Sequence, residues 1–509
     1  FAMKVFPLCA AVALSWTHHA LAKSCSDLRG YQVLNGTTIE NAELTQLSSS
    51  ADGIAYCRVS GSVAYGERDN SVRFELWLPE QKSYNKRFMV VGNGGFAGII
   101  DTASMQKQLE QGFAVAGGDS GHLEANNGNG TTTSGQYIPF LNDAEQTKAW
   151  IHDSIAIITE PTRYITSKFY GSSPRHSYYN GCSTGGAQGF ALAQYHPHLF
   201  DGIYAGSPGN WYSHLMLSFL WNRERTKGDA FLDQATLNAT TKKIIDACDE
   251  IDGVKDGLIE NPLRCHFDLN TLACSSATSV ASHNQTCLSL KQIHSLKAIY
   301  AGPRNPRTDA IIYPGFEFGS ERELMLQETS LYLAYAAPLL QNLVFHNLSY
   351  EVDTFDFDKD VARVNSLASP LIDEIASDLD AFRLRGGKLI VTQGWTDPFN
   401  APTWPIEHLK QLEKASQHGS VAEFFNLYMV PGGGHCGAAE TYPSVPATYH
   451  INEALLAWVE NDTFPSWIQS SNPPDGSSRT RKLCPWPKTA KLRDLTRPDI
   501  SESYDCIQN

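Results

Sequence analysis

Ser183 lies in Gly181-Cys182-Ser183-Thr184-Gly185, and His435 closes Pro431-Gly432-Gly433-Gly434-His435. A serine set between glycines is a candidate nucleophile, and a histidine in a glycine-rich loop is a candidate base for it. Each has a cysteine beside it, Cys182 and Cys436, so a disulfide between those two would staple nucleophile to base. The plainer reading of residues 181–185 is a glycine turn. Against it stands the context: a short apolar run over 177–179 precedes the turn and a helical pattern over 186–195 follows it. That strand–turn–helix setting is what a nucleophile elbow requires, because it strains the serine backbone and tolerates only small neighbours.

A serine–histidine pair needs a carboxylate to orient the imidazole. In the hydrolase order of Ser, acid, His, Asp397 fits: it follows a strand over 388–392, as His435 follows one over 424–430. Asp373, Asp378 and Asp380 are nearby acids in a helical stretch, where solvation is expected. An oxyanion hole needs two donors. The amide of Thr184, next to the nucleophile, is one candidate. The loop Gly92-Asn93-Gly94-Gly95-Phe96-Ala97-Gly98 offers the other, with Gly95 as the chosen donor, although a plain turn explains the same glycines. Asp119-Ser120-Gly121-His122 is a similar loop and receives no role.

A second constellation, Asp249, Asp252 and Asp256 with Gly253 and Gly257, packs hard oxygen ligands and two Asp-Gly turns into a short stretch. That composition suits calcium, although its spacing departs from an EF-hand and two ordinary acidic turns are the alternative. Its distance in sequence from Ser183 makes the expected ion a structural one.

The elements that must position these residues alternate. Strands are expected over 71–78, 87–91, 113–116, 177–179, 202–205, 388–392 and 424–430, and helices over 144–170, 186–195, 405–416 and 451–459. This predicts an α/β fold with a mostly parallel sheet covered on both faces. From 208 to 370 the alternation stops, and tryptophans (Trp211 and Trp221 among them), cysteines and polar turns take over; this stretch reads as an inserted lid. The expected divisions are a leader over 1–22, a first core part over 23–207, the lid over 208–370, and a second core part with a pinned tail over 371–509.

The chain has 509 residues, 42% hydrophobic and 18% charged, which is enough for a sizeable core. Its net charge of −14 argues against a nucleic-acid partner. Lys4, the apolar run over 5–14 and Ala20-Leu21-Ala22 form a secretory signal pattern, too short to span a bilayer. Export and no membrane attachment are therefore expected. Cys9 would leave with the leader. Ten cysteines remain, an even number that suggests a full disulfide set in an exported chain. Connectivity does not follow from sequence, but nearest neighbours pair as Cys25–Cys57, Cys248–Cys265, Cys274–Cys287 and Cys484–Cys506, with Cys182–Cys436 left as the long-range pair. Glycosylation sequons stand at Asn35, Asn129, Asn238, Asn284, Asn347 and Asn461.

With Gly-Cys-Ser-Thr-Gly-Gly at 181–186, Asp-Pro at 397–398, Gly-His-Cys at 434–436, the Asp-Gly loop at 249–257 and the glycine loop at 92–98, the chain resembles the tannase and feruloyl esterase family over nearly its whole mature length. The resemblance implies an α/β-hydrolase core with a large inserted lid domain, a Ser183–Asp397–His435 triad and the Cys182–Cys436 bridge. It also implies a lid calcium held by Asp249, Asp252 and Asp256 and by the carbonyls of Val254 and Leu258. The function it implies is hydrolysis of a phenolic-acid ester, of the ferulic or hydroxycinnamic type, through an acyl-serine, with a small aromatic ester or feruloylated saccharide as substrate. Galloyl or other aromatic esters are the alternatives, and a catalytically silent carbohydrate-binding relative is the non-enzymatic one. A monomer and a homodimer are both compatible. One departure stands out: Gln393 occupies the place where the family pattern has a histidine.

Overall fold

The structure is a computed structural model describing residues 23–34, 36–47, 53–128, 135–275, 287–375, 377–417 and 419–508. The expected leader over 1–22 and the sequons at Asn35, Asn129 and Asn284 lie outside those residues. Asn238, Asn347 and Asn461 are exposed.

Nine strands form one sheet: β1 (Thr37–Leu47), β2 (Ile54–Tyr65), β3 (Asn70–Pro79), β4 (Arg87–Val91), β5 (Ala114–Gly118), β6 (His176–Cys182), β7 (Gly202–Gly206), β8 (Lys388–Gly394) and β9 (Phe425–Val430). Their spatial order is β1-β2-β3-β5-β4-β6-β7-β8-β9. Pairing is antiparallel from β1 to β5 and parallel from β5 to β9. This is the expected α/β-hydrolase core, with a mixed rather than purely parallel sheet.

The central strands are apolar on both sides because both faces are covered. Phe88 and Val90 of β4 point into one core with Tyr179, Ile203 and Val391. Met89 and Val91 point into the other with Tyr178, Tyr204 and Ile390. Helices Ser154–Tyr170, Thr184–Tyr195 and Trp404–Ala415 cover the first face. Helices Thr102–Glu110 and Ile451–Asn461 cover the second through Met105, Leu109, Leu455 and Trp458.

Three features depart from expectation. β1 and β2 had no counterpart in the predicted elements. The β1 burial pattern buries only Ile39, Ala42 and Leu47, so its sequence carries little apolar alternation. The stretch expected as one helix over 144–170 is interrupted by a π turn at Ala149–Asp153, which leaves the Trp150 carbonyl as acceptor for the Gln188 side chain. Asp373 is buried rather than solvated: it accepts from the Ser213 amide and hydroxyl, at 2.8 and 2.6 Å.

Between β7 and β8 the described residues form helices and no strand of a sheet. Leu237, Ile244, Leu258, Ile293, Leu296 and Phe316 build a core of their own there, joined by Tyr442 and Val445 from beyond β9. All five cysteine pairs are disulfides as expected. Among the described residues no helix is long and apolar enough to cross a membrane.

This inserted region buries charge. Burial pushes the Glu328 carboxyl up to about 8; the Leu232 amide opposes that shift and Asp233 adds to it. The folded chain therefore holds this proton to higher pH than the unfolded chain does. The stability it contributes is fully present below the ordinary glutamate range and is lost as pH rises toward 8. Glu328→Gln should flatten that loss by roughly 3 kcal/mol. Its advantage in Tm over the parent should grow between about pH 5 and about pH 8, and a pH-independent difference in thermal melts would contradict the assignment.

Candidate active site

β6 ends at Cys182, and the helix Thr184–Tyr195 begins one residue after Ser183. Ser183 itself has φ 64°, a region that costs a non-glycine residue of order 1–3 kcal/mol. The strain is held from both sides: the Ser183 amide donates to the Gly206 carbonyl at 2.9 Å, and the Ser183 carbonyl accepts from the Gly209 amide at 3.1 Å. Glycine at 181 is required because a Cβ there would lie 2.5 Å from the Gly185 carbonyl oxygen.

Ser183 Oγ stands 2.8 Å from His435 Nε2, and His435 Nδ1 stands 3.0 and 2.9 Å from the two oxygens of Asp397. The serine, base and acid named in sequence are thus brought into one hydrogen-bonded line. Asp397 is fully buried. Burial alone would push its carboxyl up. The His435 charge and hydrogen bond, with the Phe399 and Asn400 amides, outweigh burial and hold it below its ordinary value. Gln393 Nε2 donates to Asp397 Oδ2 at 3.0 Å, so the residue that departs from the family pattern supplies a neutral donor to the acid.

Cys182 and Cys436 are bonded, with Cα atoms 5.9 Å apart across a sequence separation of 254. Cys436 also has positive φ, 64°, and its amide donates to Ser207 Oγ at 3.3 Å. The disulfide thus ties one strained residue, Cys436, to the immediate neighbour of the other, Ser183.

The loop after β4 is clamped to the elbow. Thr184 Oγ1 donates to the Gly95 carbonyl at 2.8 Å, and the Gly185 amide donates to the Asn93 carbonyl at 2.7 Å. Gln188 accepts from the Asn93 amide at 3.1 Å and donates to its side-chain oxygen at 3.2 Å. The amides of Gly92, Asn93 and Ala97 are used internally, while Gly95 lines the same cleft as Ser183. The Asp119–His122 loop lies behind this one. Ser120 Oγ donates to Asn93 Oδ1 at 2.8 Å, and His122 Nε2 donates to the Phe96 carbonyl at 2.5 Å. Burial lowers the His122 pKa to about 4, which keeps the ring neutral. Gln188 was not among the residues named from sequence, and Ser120 received no role there; a glutamine one turn into the elbow helix was the available signal for the first.

The cleft above Ser183 has a volume of about 700 Å³. Tyr335 from the inserted region and Phe399 from the acid loop form its aromatic end, and the Phe399 ring centroid lies 4.5 Å from that of His435. Trp211 and Trp221 do not line the cleft. Trp211 packs on His214 and Trp404, and Trp221 Nε1 donates to the Ala298 carbonyl.

In the acidic loop, Asp249 accepts from the Asp256 and Gly257 amides and Asp252 from the Val254 amide. Burial raises Asp249 and pushes Asp252 up to about 6; Asp256 adds to both shifts. Asp256 meets the buried Arg481 through one oxygen, while its other oxygen, Oδ1, is buried without a partner. Among the described residues no three acidic, histidine or cysteine side chains converge on an ion position as the loop stands. The donor chemistry nevertheless fits a hard cation: all oxygen, mutually repelling and carrying one unpartnered buried acceptor. Leu258, at the end of the loop, packs in one core with Tyr442 and Val445, just beyond the histidine loop.

A model of the family described as tannase and feruloyl esterase matches residues 57–507. The chain belongs to that family. It is a carboxylic ester hydrolase. An uncharacterized esterase of Xanthomonas campestris pv. campestris is 30% identical over 98% of this chain and 94% of its own length. A probable feruloyl esterase B-1 of Aspergillus terreus is 28% identical over 89% of this chain and 86% of its own. Among solved structures, feruloyl esterase B from Aspergillus oryzae superposes with a TM-score of 0.83 at 24% identity, covering 95% of this chain and 99% of that one. Tannin acyl hydrolase from Aspergillus niger gives 0.77 at 21%, covering 94% and 92%. These two likenesses concern the fold.

Removing the disulfide beside the nucleophile should release both strained residues. Cys182→Ala with Cys436→Ala should cost about 2–4 kcal/mol of stability. It should also lower kcat at least about tenfold, because angstrom-scale misplacement of reacting groups is this costly. Unchanged kcat in a folded double variant would contradict the staple.

Proposed function

We propose that this protein is an exported esterase that releases a phenolic acid, of the hydroxycinnamic type, from its ester through an acyl-serine. The observation that carries the reading is the Ser183–His435–Asp397 line opening on a cleft whose near end is formed by Tyr335 and Phe399. An aromatic acyl group gains from edge or face packing on such rings as well as from burial.

In this mechanism Ser183 Oγ attacks the ester carbonyl carbon and its proton passes to His435 Nε2. Asp397, held ionised, stabilises the imidazolium. The amides of Thr184 and Gly95 receive the negative oxygen of the tetrahedral intermediate. Collapse expels the alcohol, which takes the proton from His435. Water then repeats the sequence on the acyl-serine, releases the acid and restores the serine hydroxyl.

Ser183→Ala should leave the fold intact and reduce ester hydrolysis at least about a thousandfold. Retained turnover would sink the nucleophile assignment. Methyl ferulate, methyl caffeate and methyl gallate, compared by kcat/KM, test the acyl group: the two hydroxycinnamates should lead, and a clear lead for gallate would move the reading to a galloyl esterase.

The same reading includes a structural calcium at Asp249, Asp252 and Asp256, completed by the Val254 and Leu258 carbonyls. When bound, it would neutralise carboxylates that otherwise repel and would brace the core shared with the histidine loop. Chelation should lower Tm by several degrees, with calcium restoring it, before turnover at low temperature changes. A melting temperature indifferent to chelator would argue for an ordinary acidic turn.

A further inference from the structure

The two oxygens of Asp397 are held in different ways. Oδ1, besides its contact with His435, accepts from the Phe399 amide at 2.8 Å and the Asn400 amide at 3.1 Å, both in its own loop. Among the described residues, Oδ2 is reached by His435 Nδ1 at 2.9 Å and Gln393 Nε2 at 3.0 Å. The loop itself is tied down elsewhere. The Thr396 amide and hydroxyl donate to the Gly433 carbonyl at 3.0 and 2.8 Å, and Asn400 Nδ2 donates to the Ser207 carbonyl at 2.6 Å. Gln393 therefore bears on one carboxylate oxygen rather than on the course of the backbone.

Gln393 is fully buried, one residue before the end of β8. Its Nε2 also donates to the Gly394 carbonyl at 3.1 Å, so both amide hydrogens are used. Its Oε1 is buried without a partner among the described residues. An orphaned acceptor is costly, and methionine would fill similar space without one. Packing alone thus gives no reason for an amide here; the donor end does. Turned over, the amide would set Oε1 against a carboxylate oxygen.

The titratable groups that feel Asp397 are His435, Tyr313 and Tyr449. Burial, with a contribution from Asp397, keeps both phenols protonated. Nothing but the imidazole is left to set the acid limb of the pH profile. An amide at 393 adds no second ionisation, whereas a histidine there would.

We infer that Gln393 is a positioning residue for ester hydrolysis, whose amide holds Asp397 Oδ2 in line with His435 and has no proton of its own to exchange. The place where the family pattern has a histidine then demands a donor rather than an imidazole. The inference rests on the triad of the proposed function. Gln393 touches no reacting atom and acts through Asp397.

The test uses whichever of methyl ferulate, methyl caffeate and methyl gallate the parent cleaves fastest, so that the acyl assignment does not enter. Gln393→Met removes the donor at similar volume. Its kcat should fall about tenfold with KM within about twofold. The acid limb of kcat/KM should move up by about half a pH unit or more, because the aspartate–histidine pair, short of a donor, holds its extra proton more firmly. Gln393→His restores a donor and should recover kcat to within about threefold of the parent. Should Gln393→Met fail to fold in thermal melts, Gln393→Glu keeps the shape: it donates while protonated and repels Asp397 once ionised, so its activity should fall at alkaline pH where the parent's holds. An unmoved acid limb in folded Gln393→Met, a loss confined to KM, a Gln393→His no better than Gln393→Met, or a Gln393→Glu profile like the parent's would overturn the role. Turnover retained in Ser183→Ala would instead remove the triad on which it rests.

Discussion

The bond between Cys182 and Cys436 joins the last residue of β6 to the residue after the base, across a sequence separation of 254. Most of the active geometry depends on it. Ser183 and Cys436 both sit at φ 64°, a conformation that neither would choose in a free chain. Serine hydroxyl and imidazole come from loops after β6 and β9, which have two strands between them in the sheet, and those loops have no other covalent tie. The disulfide fixes their separation, so the 2.8 Å contact between Oγ and Nε2 does not depend on loop packing alone.

Around that bond the site is held by buried polar groups that are paired with one another. Gln188 binds the backbone and side chain of Asn93 and the carbonyl of Trp150. Ser120 reaches the same Asn93, and Thr184 reaches Gly95. Each unpaired member of such a network would cost about 1–3 kcal/mol, so the glycine loop, the elbow and the π turn settle together. Gln393 extends the same principle to the acid. A neutral amide donor on Asp397 helps to support its charge without competing for the proton that His435 must carry.

The inserted region contributes differently. It has its own apolar core, yet it sends Tyr335 over the catalytic cleft and shares Tyr442 and Val445 with the segment after β9. Tyr335 and Phe399 line the resulting cleft on one side, and Ser104, Gln108, Gln111 and Asn452 line it with Tyr204 and Tyr449 towards the far face of the sheet. Tyr335 stands on the helical insertion, whereas Gln111 and Asn452 stand on helices anchored to the sheet by Met105, Leu109 and Leu455.

Serine, acid and base were legible in the sequence because each carries a local signature: a glycine-flanked serine after a strand, an Asp-Pro after β8, a glycine-led histidine after β9. The central strands were legible because burial on both faces writes a continuous apolar run. β1 was not, because it buries only Ile39, Ala42 and Leu47 and its sequence carries little apolar alternation; β2 does alternate, but glycine and serine hold part of its pattern and blur it. Asp373 read as a solvated helix acid; only the fold brings Ser213 beneath it, 160 positions away. The clamp on the glycine loop and the lining of the cleft likewise belong to the tertiary structure alone. They are contacts between groups far apart in the chain, where local spacing carries no information about which partner will arrive.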